Sequence, residues 1–325
     1  MSLSETVSPV AGPVPDVLVG VDIGGTTTQV VLCTDDLVVL DRIEVPTPAR
    51  QGGPAMMRAV IEAVAALRER VPSRLLAVGV GAAGVVDART GRILVASDSF
   101  TAWAGTAVTA TLTSALGVPA FLDNDVNTFL RGEVAKGAVE GASNAFGITL
   151  GTGVGGALWM NGALVDGPHG AAGEVGHIPG FGDILCTCGG RGHLETLASG
   201  RSIGHRYGEA TGRQATAQEV AAAAAQGDPD ALAVFDAAGA AIARAILITA
   251  GVVDVTTVVI GGGVSRAWGL LEPSILRALA DEPPVSGHPV HLSRARLGSD
   301  AVALGAASLA RTGLTARLTT AVGAA

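Results

Sequence analysis

The stretch VLVGVDIGGTTTQVVLCTDD, residues 17–36, decides what fold we expect. Two runs rich in Val and Leu flank a short turn formed by Gly24, Gly25 and Thr26. Apolar, β-branched runs on either side of a glycine turn are typical of a β-hairpin. We therefore predict a hairpin bent around these glycines.

A second stretch repeats this design in the middle of the chain. NAFGITLGTGVGGALWMNGALV, residues 144–165, again places a glycine turn, residues 151–156, between two apolar runs. It is the only internal echo that we find, and it predicts one hairpin opening each of two similar domains. Strands alternating with helices elsewhere predict an α/β fold in two halves.

The remaining elements follow from periodicity and composition. Residues 55–71 carry apolar side chains at helical spacing, which predicts an amphipathic helix. The strand PAFLDND, residues 119–125, should lead into a helix through residues 127–136. We also predict helices in residues 217–250 and 300–312, and a strand, triple glycine and helix in residues 256–276.

Composition limits the class of protein. A chain of 325 residues, 48% hydrophobic, is expected to form two domains. Residues 1–16 predict a flexible tail without the features of a secretory signal, and no uninterrupted apolar run predicts a membrane helix. A net charge of −8 and a single lysine, Lys136, argue against nucleic-acid binding. Three cysteines, two of them clustered near histidines, favour a metal site in a cytoplasmic protein.

Three glycine turns could hold a nucleotide. Backbone N–H groups in DIGGTTT, which begins at Asp22, and in LGTGVGG could bind phosphate. Glycines that only supply positive φ in a hairpin are the alternative, but two such turns favour phosphate binding. VVIGGGVS could let a nucleoside approach the backbone, although many strand–helix turns contain glycines. No Walker sequence is present. The turn residues are Gly151, Thr152 and Gly153 in the second turn, and Gly261, Gly262 and Gly263 in the third.

The segment FLDNDVN, residues 121–127, places carboxylates and amides where an apolar strand ends. Ligands bind at strand ends in open α/β sheets, and an aspartate there can accept the proton of an attacking hydroxyl. The alternative is a helix cap. We expect that one of these residues caps the following helix and that another is a functional group.

Two cysteines and two histidines lie in GHIPGFGDILCTCGGRGHLE, residues 176–195. Thiolates and imidazoles together favour Zn²⁺, and four protein ligands make a closed, structural site. Cysteines packed as small apolar residues, or a Cys186–Cys188 disulfide, are the alternatives. The candidate ligands are His177, Cys186, Cys188 and His193.

These motifs together resemble the ROK family of repressors, open reading frames and sugar kinases. DIGGT, the NDxN element at residues 124–127, LGTGVGG and GEVGHIPGFGDILCTCGGRGHLETLASG carry the resemblance, which covers nearly the whole chain. It implies an actin- and hexokinase-like fold with two RNase H-like lobes and a cleft. We expect a small lobe of residues 17–122 with 301–325, and a large lobe of residues 123–300.

The resemblance also implies roles for single residues. Asp125 would be the general base, and Asp22 would lie near Mg²⁺. The first two glycine turns would hold the phosphates of ATP, and the third would line the adenosine pocket. The implied sugar ligands are Asn124, Glu174, His177 and Glu195.

The sequence departs from the family pattern at three places. His193 replaces the third signature cysteine, which keeps four zinc ligands. The basic residue that often follows DIGGT is absent, with Thr27 and Gln29 nearby, which leaves the phosphate donor open. ASDSFTAW offers Asp98 or Ser99 where a sugar-contacting asparagine is expected, which leaves the sugar open.

We expect an ATP-dependent hexose kinase, with glucose as the first choice of substrate. N-acetylmannosamine, N-acetylglucosamine and fructose remain open, as does polyphosphate as donor. A repressor of the same family would carry an added N-terminal DNA-binding domain, for which about twenty residues before the first turn leave no room. A binding protein without activity would lack the base. Family members imply a homodimer.

Overall fold

The computed structural model describes residues 14–323. Most of the predicted flexible tail, residues 1–13, lies outside the described residues. The strands are β1 (Asp16–Ile23), β2 (Thr27–Cys33), β3 (Val39–Pro46), β4 (Arg74–Ala82), β5 (Val85–Asp87), β6 (Arg92–Val95), β7 (Ala120–Asn124), β8 (Ala145–Leu150), β9 (Val154–Met160), β10 (Ala163–Leu164), β11 (Thr257–Gly261) and β12 (His291–Arg294). The helices are α1 (Gly53–Arg70), α2 (Val108–Leu116), α3 (Asp125–Lys136), α4 (Glu195–Ala198), α5 (Gly200–Thr211), α6 (Ala217–Ala225), α7 (Pro229–Val253), α8 (Trp268–Asp281) and α9 (Ala301–Gly323).

Two five-stranded sheets share one topology. The first has the order β3-β2-β1-β4-β7 and the second β10-β9-β8-β11-β12. In each, an antiparallel hairpin, β1–β2 or β8–β9, is extended by parallel strands on the side of its first strand. The two predicted hairpins and the predicted internal repeat that relates them are confirmed, and so is an α/β fold built from two similar halves.

The parallel strands of the first sheet bring separate parts of the chain to one edge. Asp22 on β1 pairs with Gly81 on β4, and Gly81 pairs with Asp123 on β7. Neighbouring strands lie about 4.8 Å apart, so the carboxyl ends of β1 and β7 are about 10 Å apart at this level. Asp22 on β1 and the acidic residues that follow Leu122 on β7 are thereby placed at the same edge.

Each sheet has its own apolar core. The core of the first sheet is formed with α1 and α2 around side chains such as Val19, Val60 and Leu112. The core of the second is formed with α7 and α8 around side chains such as Ile148 and Ile242. Helix α7 is long and apolar enough to span a membrane by length and composition, but 56% of its most apolar window is buried in the protein. It packs against α5, α6 and α8, as a core helix does.

Helices α3 and α9 cross where the two sheets meet, and glycines make the crossing possible. A Cβ atom on Gly305 of α9 would lie 1.7 Å from the carbonyl oxygen of Thr128 on α3. A Cβ atom on Gly132 of α3 would lie 2.1 Å from the carbonyl oxygen of Ala301 on α9. The two backbones are therefore in direct contact.

A buried carboxylate fixes the chain beside this crossing. Glu133 on α3 is fully buried and accepts hydrogen bonds from the backbone N–H groups of Ala138 (2.6 Å), Leu297 (2.9 Å) and Arg296 (3.1 Å). Three N–H donors compensate the cost of burying the charge. Glu133 thus holds the segment that connects β12 of the second sheet to α9, which packs on the first sheet.

The crossing predicts unequal effects of two glycine substitutions within helices. Gly305→Ala should lower the free energy of unfolding by about 1–3 kcal/mol, because its methyl group collides with backbone. Gly251→Ala on α7 meets nothing within 4 Å and should raise it by about 0.5–1 kcal/mol through helix propensity. Urea denaturation measures both, and equal effects would contradict the close contact.

Candidate active site

Asn124 ends β7 and caps α3. Its side-chain oxygen accepts hydrogen bonds from the backbone N–H groups of Val126 (2.8 Å) and Asn127 (3.3 Å). Its amide donates to the carbonyl oxygen of Gly84 (2.9 Å). The predicted helix cap in this segment is therefore Asn124, whose side chain also interacts with the carboxylate of Asp125.

The carboxylate of Asp123 is used inside the protein. Asp123 is buried and accepts hydrogen bonds from the side-chain amide of Asn127 (2.8 Å) and the backbone N–H of Asn124 (2.7 Å). Burial raises its pKa, while these hydrogen bonds oppose the rise. Asp123 thus orders the strand–helix turn, which leaves Asp125 as the carboxylate available for chemistry.

Asp22, Asp125 and Glu174 influence one another electrostatically. Burial and, to a smaller extent, the negative charge of Asp125 raise the pKa of Asp22 to about 7. Burial also raises the pKa of Asp125, with Glu174 adding a smaller increase. Asp22 lies on β1, Asp125 begins α3 directly after β7, and Glu174 comes from the loop after β10.

In the described part of the chain, no arginine, lysine or histidine forms an ion pair with these three carboxylates. The carboxylate of Asp125 accepts the backbone N–H of Val126 at 3.0 Å, and hydrogen bonds from its own backbone N–H and from the side chain of Asn124 also oppose the rise in its pKa. A half-buried carboxylate without a cationic partner is a strong acceptor for a hydroxyl proton or a cation. The site therefore fits Mg²⁺ near Asp22 and a hydroxyl substrate at Asp125.

Glu195, at the first position of α4, connects two motifs. Its Oε2 accepts a hydrogen bond from the backbone N–H of Val154 (3.1 Å), directly after the second glycine turn. Its Oε1 accepts from the hydroxyl of Thr187 (3.1 Å) and the thiol of Cys186 (3.7 Å). The sequence reasoning missed Thr187, which lies between the two cysteines. Its hydroxyl, a possible hydrogen-bond donor within the motif, could have pointed to it.

The two cysteines and two histidines predicted as metal ligands form one cluster. Their ligand atoms all lie within 4.8 Å of one another. The sulfur of Cys186 is 3.8 Å from Nδ1 of His177, and the sulfur of Cys188 is 3.3 Å from Nδ1 of His193. Zinc bond lengths imply ligand separations of about 3.3–3.8 Å in a tetrahedron. The cluster therefore fits a tetrahedral metal site, and no disulfide is formed between the cysteines.

The second and third glycine turns lie side by side. The N–H of Gly151 donates to the carbonyl oxygen of Gly153 (2.9 Å), which closes the turn between β8 and β9 around Thr152. Gly262 has a φ of 87°, and a Cβ atom there would lie 2.5 Å from the carbonyl oxygen of Leu150. Both turns therefore open at the same end of the second sheet.

The turn of Gly24, Gly25 and Thr26 closes the hairpin at the corresponding end of the first sheet. The N–H of Gly24 donates to the carbonyl oxygen of Thr27 (3.0 Å). The sequence reasoning missed Phe100, whose ring would lie 3.7 Å from a Cβ atom on Gly25. Nearby Gln29 is already used, because its amide donates to Asp300 (2.7 Å).

Asp98 is not brought to the carboxylate cluster by any hydrogen bond among the described residues. It is exposed in the loop after β6, where its carbonyl oxygen accepts a hydrogen bond from Arg50 (2.8 Å). A role for Asp98 in sugar binding stays a prediction.

Comparison with known proteins defines the class. The chain matches the ROK family over residues 18–313 and belongs to that family. It is 37% identical to a glucokinase of Halalkalibacterium halodurans over 190 residues, which is 57% of each chain. It is 33% identical to an N-acetylmannosamine kinase of Citrobacter koseri, over 90% of this chain and 97% of that one. The match thus spans little more than half the length of that glucokinase.

A solved structure supports the same assignment of fold. A ROK family glucokinase from Streptomyces griseus, in complex with glucose and AMPPNP, superposes with a TM-score of 0.78 at 30% identity. The superposition covers 91% of this chain and 100% of that one. The predicted two-lobed, actin- and hexokinase-like fold is confirmed.

The cysteine–histidine cluster predicts that Cys186 is needed for metal binding and that Cys33 is not. Cys186→Ser should lose the bound metal, because serine oxygen is a poor ligand for a soft site. Cys33→Ser is the matched control. Cys33 is buried at the end of β2, where its thiol donates to the carbonyl oxygen of Leu18. Metal analysis by mass spectrometry measures both, and full metal content in Cys186→Ser would refute the ligand set.

Proposed function

We propose that this protein phosphorylates a hexose with ATP, with glucose as the first candidate and Asp125 as the general base. The observation that carries the proposal is the half-buried carboxylate of Asp125, which is influenced by the charges near it and has no cationic partner among the described residues. A base must be ionised when it acts, and a raised pKa makes it a stronger proton acceptor.

Asp125 accepts the proton of a sugar hydroxyl, for which we take the 6-hydroxyl, as that oxygen attacks the γ-phosphorus of ATP. Asn124 contacts the sugar through its side-chain amide in this proposal, because its side-chain oxygen is already occupied by capping. Glu174 and His177 line the same pocket in this proposal. Glu195 and Asp98 complete the proposed sugar ligands.

The N–H groups of the first two glycine turns bind the phosphates and spread the charge of the transferring group. Gly261, Gly262 and Gly263 line the adenosine pocket. Mg²⁺, held near Asp22 and the phosphates, would supply neutralisation of that charge. Closure of the cleft between residues 17–122 with 301–325 and residues 123–300 would exclude water, the competing acceptor.

In this proposal the metal of the cysteine–histidine cluster is a structural Zn²⁺. The loop that carries the cluster contains five glycines between Gly180 and Gly192, and ordering it costs conformational entropy. Metal binding offsets that cost before substrate arrives. Glu174 and Glu195, on either side of the loop, are then held in place for the sugar.

The proposal also concerns which sugar is phosphorylated. The full-length similarity to an N-acetylmannosamine kinase makes acetylated hexosamines the alternative substrates. We further propose that the enzyme is a cytoplasmic homodimer. Polyphosphate is the alternative phosphate donor.

The direct test is a coupled ADP-release assay across glucose, mannose, fructose and acetylated hexosamines, with wild type and Asp125→Asn compared. We expect one sugar to be preferred by wild type. Asp125→Asn should lose turnover, because the amide accepts no proton. Its affinity for the sugar, measured by the sugar-induced thermal shift, should stay within about tenfold of wild type.

The exposed variant Asp36→Asn controls for the loss of one negative charge. Turnover above a few per cent of wild type in Asp125→Asn would refute the role of Asp125. Sugar binding without any turnover in wild type would instead indicate a binding protein.

A further inference from the structure

The segment between the metal cluster and α5 holds the second glycine turn at both of its ends. At one end, Glu195 Oε2 accepts the N–H of Val154 at 3.1 Å. At the other, the N–H of Gly200 donates to the carbonyl oxygen of Gly151 at 2.8 Å. Helix α4 and Ser199 are all that separate the two contacts along this segment. The conformation of the turn thus depends on where α4 lies.

The turn and the carboxylate also fit each other sterically. A Cβ atom on Gly153 would lie 2.3 Å from Glu195 Oε2. Glycine at this position therefore lets the carboxylate reach the N–H of Val154. A small displacement of Glu195 would alter both the hydrogen bond and the space available to the turn.

Glu195 is in turn held by the loop of the metal cluster. Its Oε1 accepts from the hydroxyl of Thr187 at 3.1 Å and from the thiol of Cys186 at 3.7 Å. A metal-bound cysteine is a thiolate and no longer donates. Of Cys186 and Thr187, only Thr187 then still donates a hydrogen bond to Glu195.

We infer that Thr187 is a positioning residue for the nucleotide site. Through Glu195 it links the metal-binding loop to the turn of Gly151, Thr152 and Gly153, which the proposed function assigns to the phosphates of ATP. The loop thereby sets nucleotide affinity as well as the shape of the sugar pocket. The inference rests on the proposed function, since it needs that turn to bind phosphate.

The test is direct nucleotide binding to the metal-loaded protein without sugar, using MgADP and MgAMPPNP in titration calorimetry. Thr187→Val keeps the shape of the side chain and removes its hydroxyl, and should weaken nucleotide binding about three- to tenfold. Thr187→Ser keeps the donor and should restore affinity to within about twofold. Thr315→Val is the matched control, since Thr315 is exposed near the end of α9 and, among the described residues, its hydroxyl donates to the carbonyl oxygen of Arg311.

Metal content is measured on every variant and should equal that of wild type. Unchanged nucleotide affinity in Thr187→Val would overturn the inference. So would joint loss of metal and affinity that serine does not restore, because the loop as a whole would then be damaged. Wild type that binds no nucleotide would overturn the proposed function itself, so the two failures are distinguishable.

Discussion

The site depends on the removal of Asp22 from water, to which the repulsion between Asp22 and Asp125 adds. One carboxylate lies at the end of β1 and the other at the start of α3, and the strand order of the first sheet brings them to one edge. Since the pKa of Asp22 is raised to about 7, the folded chain keeps a proton there that the unfolded chain releases above about pH 4. Folding stability from this group therefore falls as pH rises between about 4 and 7. A site that costs stability in this way is suited to a cation and a proton-donating substrate.

The remainder of the fold keeps this pair in place. Contact between the backbones of α3 and α9 at Gly305 leaves little room for the start of α3 to shift. Glu133 anchors the connection to α9, and Asn124 caps the helix that begins with Asp125. The second sheet adds two glycine turns, and Glu195 on α4 joins the second glycine turn to the loop of the cysteine–histidine cluster. Hydrogen-bonded side chains of Glu133, Asn124 and Glu195 thus fix the elements around the two carboxylates.

The hairpins, the paired glycine turns and the cysteine–histidine cluster could be predicted because each is a local pattern in the sequence. The cap at Asn124 was predicted only as one of several polar residues, since a cap is settled by which side chain faces the first N–H groups of the helix. The contacts of Glu195 with Val154 and Thr187 could not be predicted, because residue 154 lies 41 positions away from residue 195 and sequence spacing does not show which segments meet. The burial of Glu133 was also missed, since a glutamate in a helix is usually exposed.

The most direct test of the central claim is the pH dependence of phosphoryl transfer, measured as a single-turnover rate with saturating sugar and MgATP so that product release does not limit it. Protonated Asp125 cannot accept the hydroxyl proton, so the rate should fall as pH drops. We expect the midpoint to lie above the ordinary aspartate pKa of about 3.9, because burial raises the pKa of Asp125. A rate that stays constant from pH 8 down to about pH 4 in folded protein would contradict Asp125, without a cationic partner, as the base.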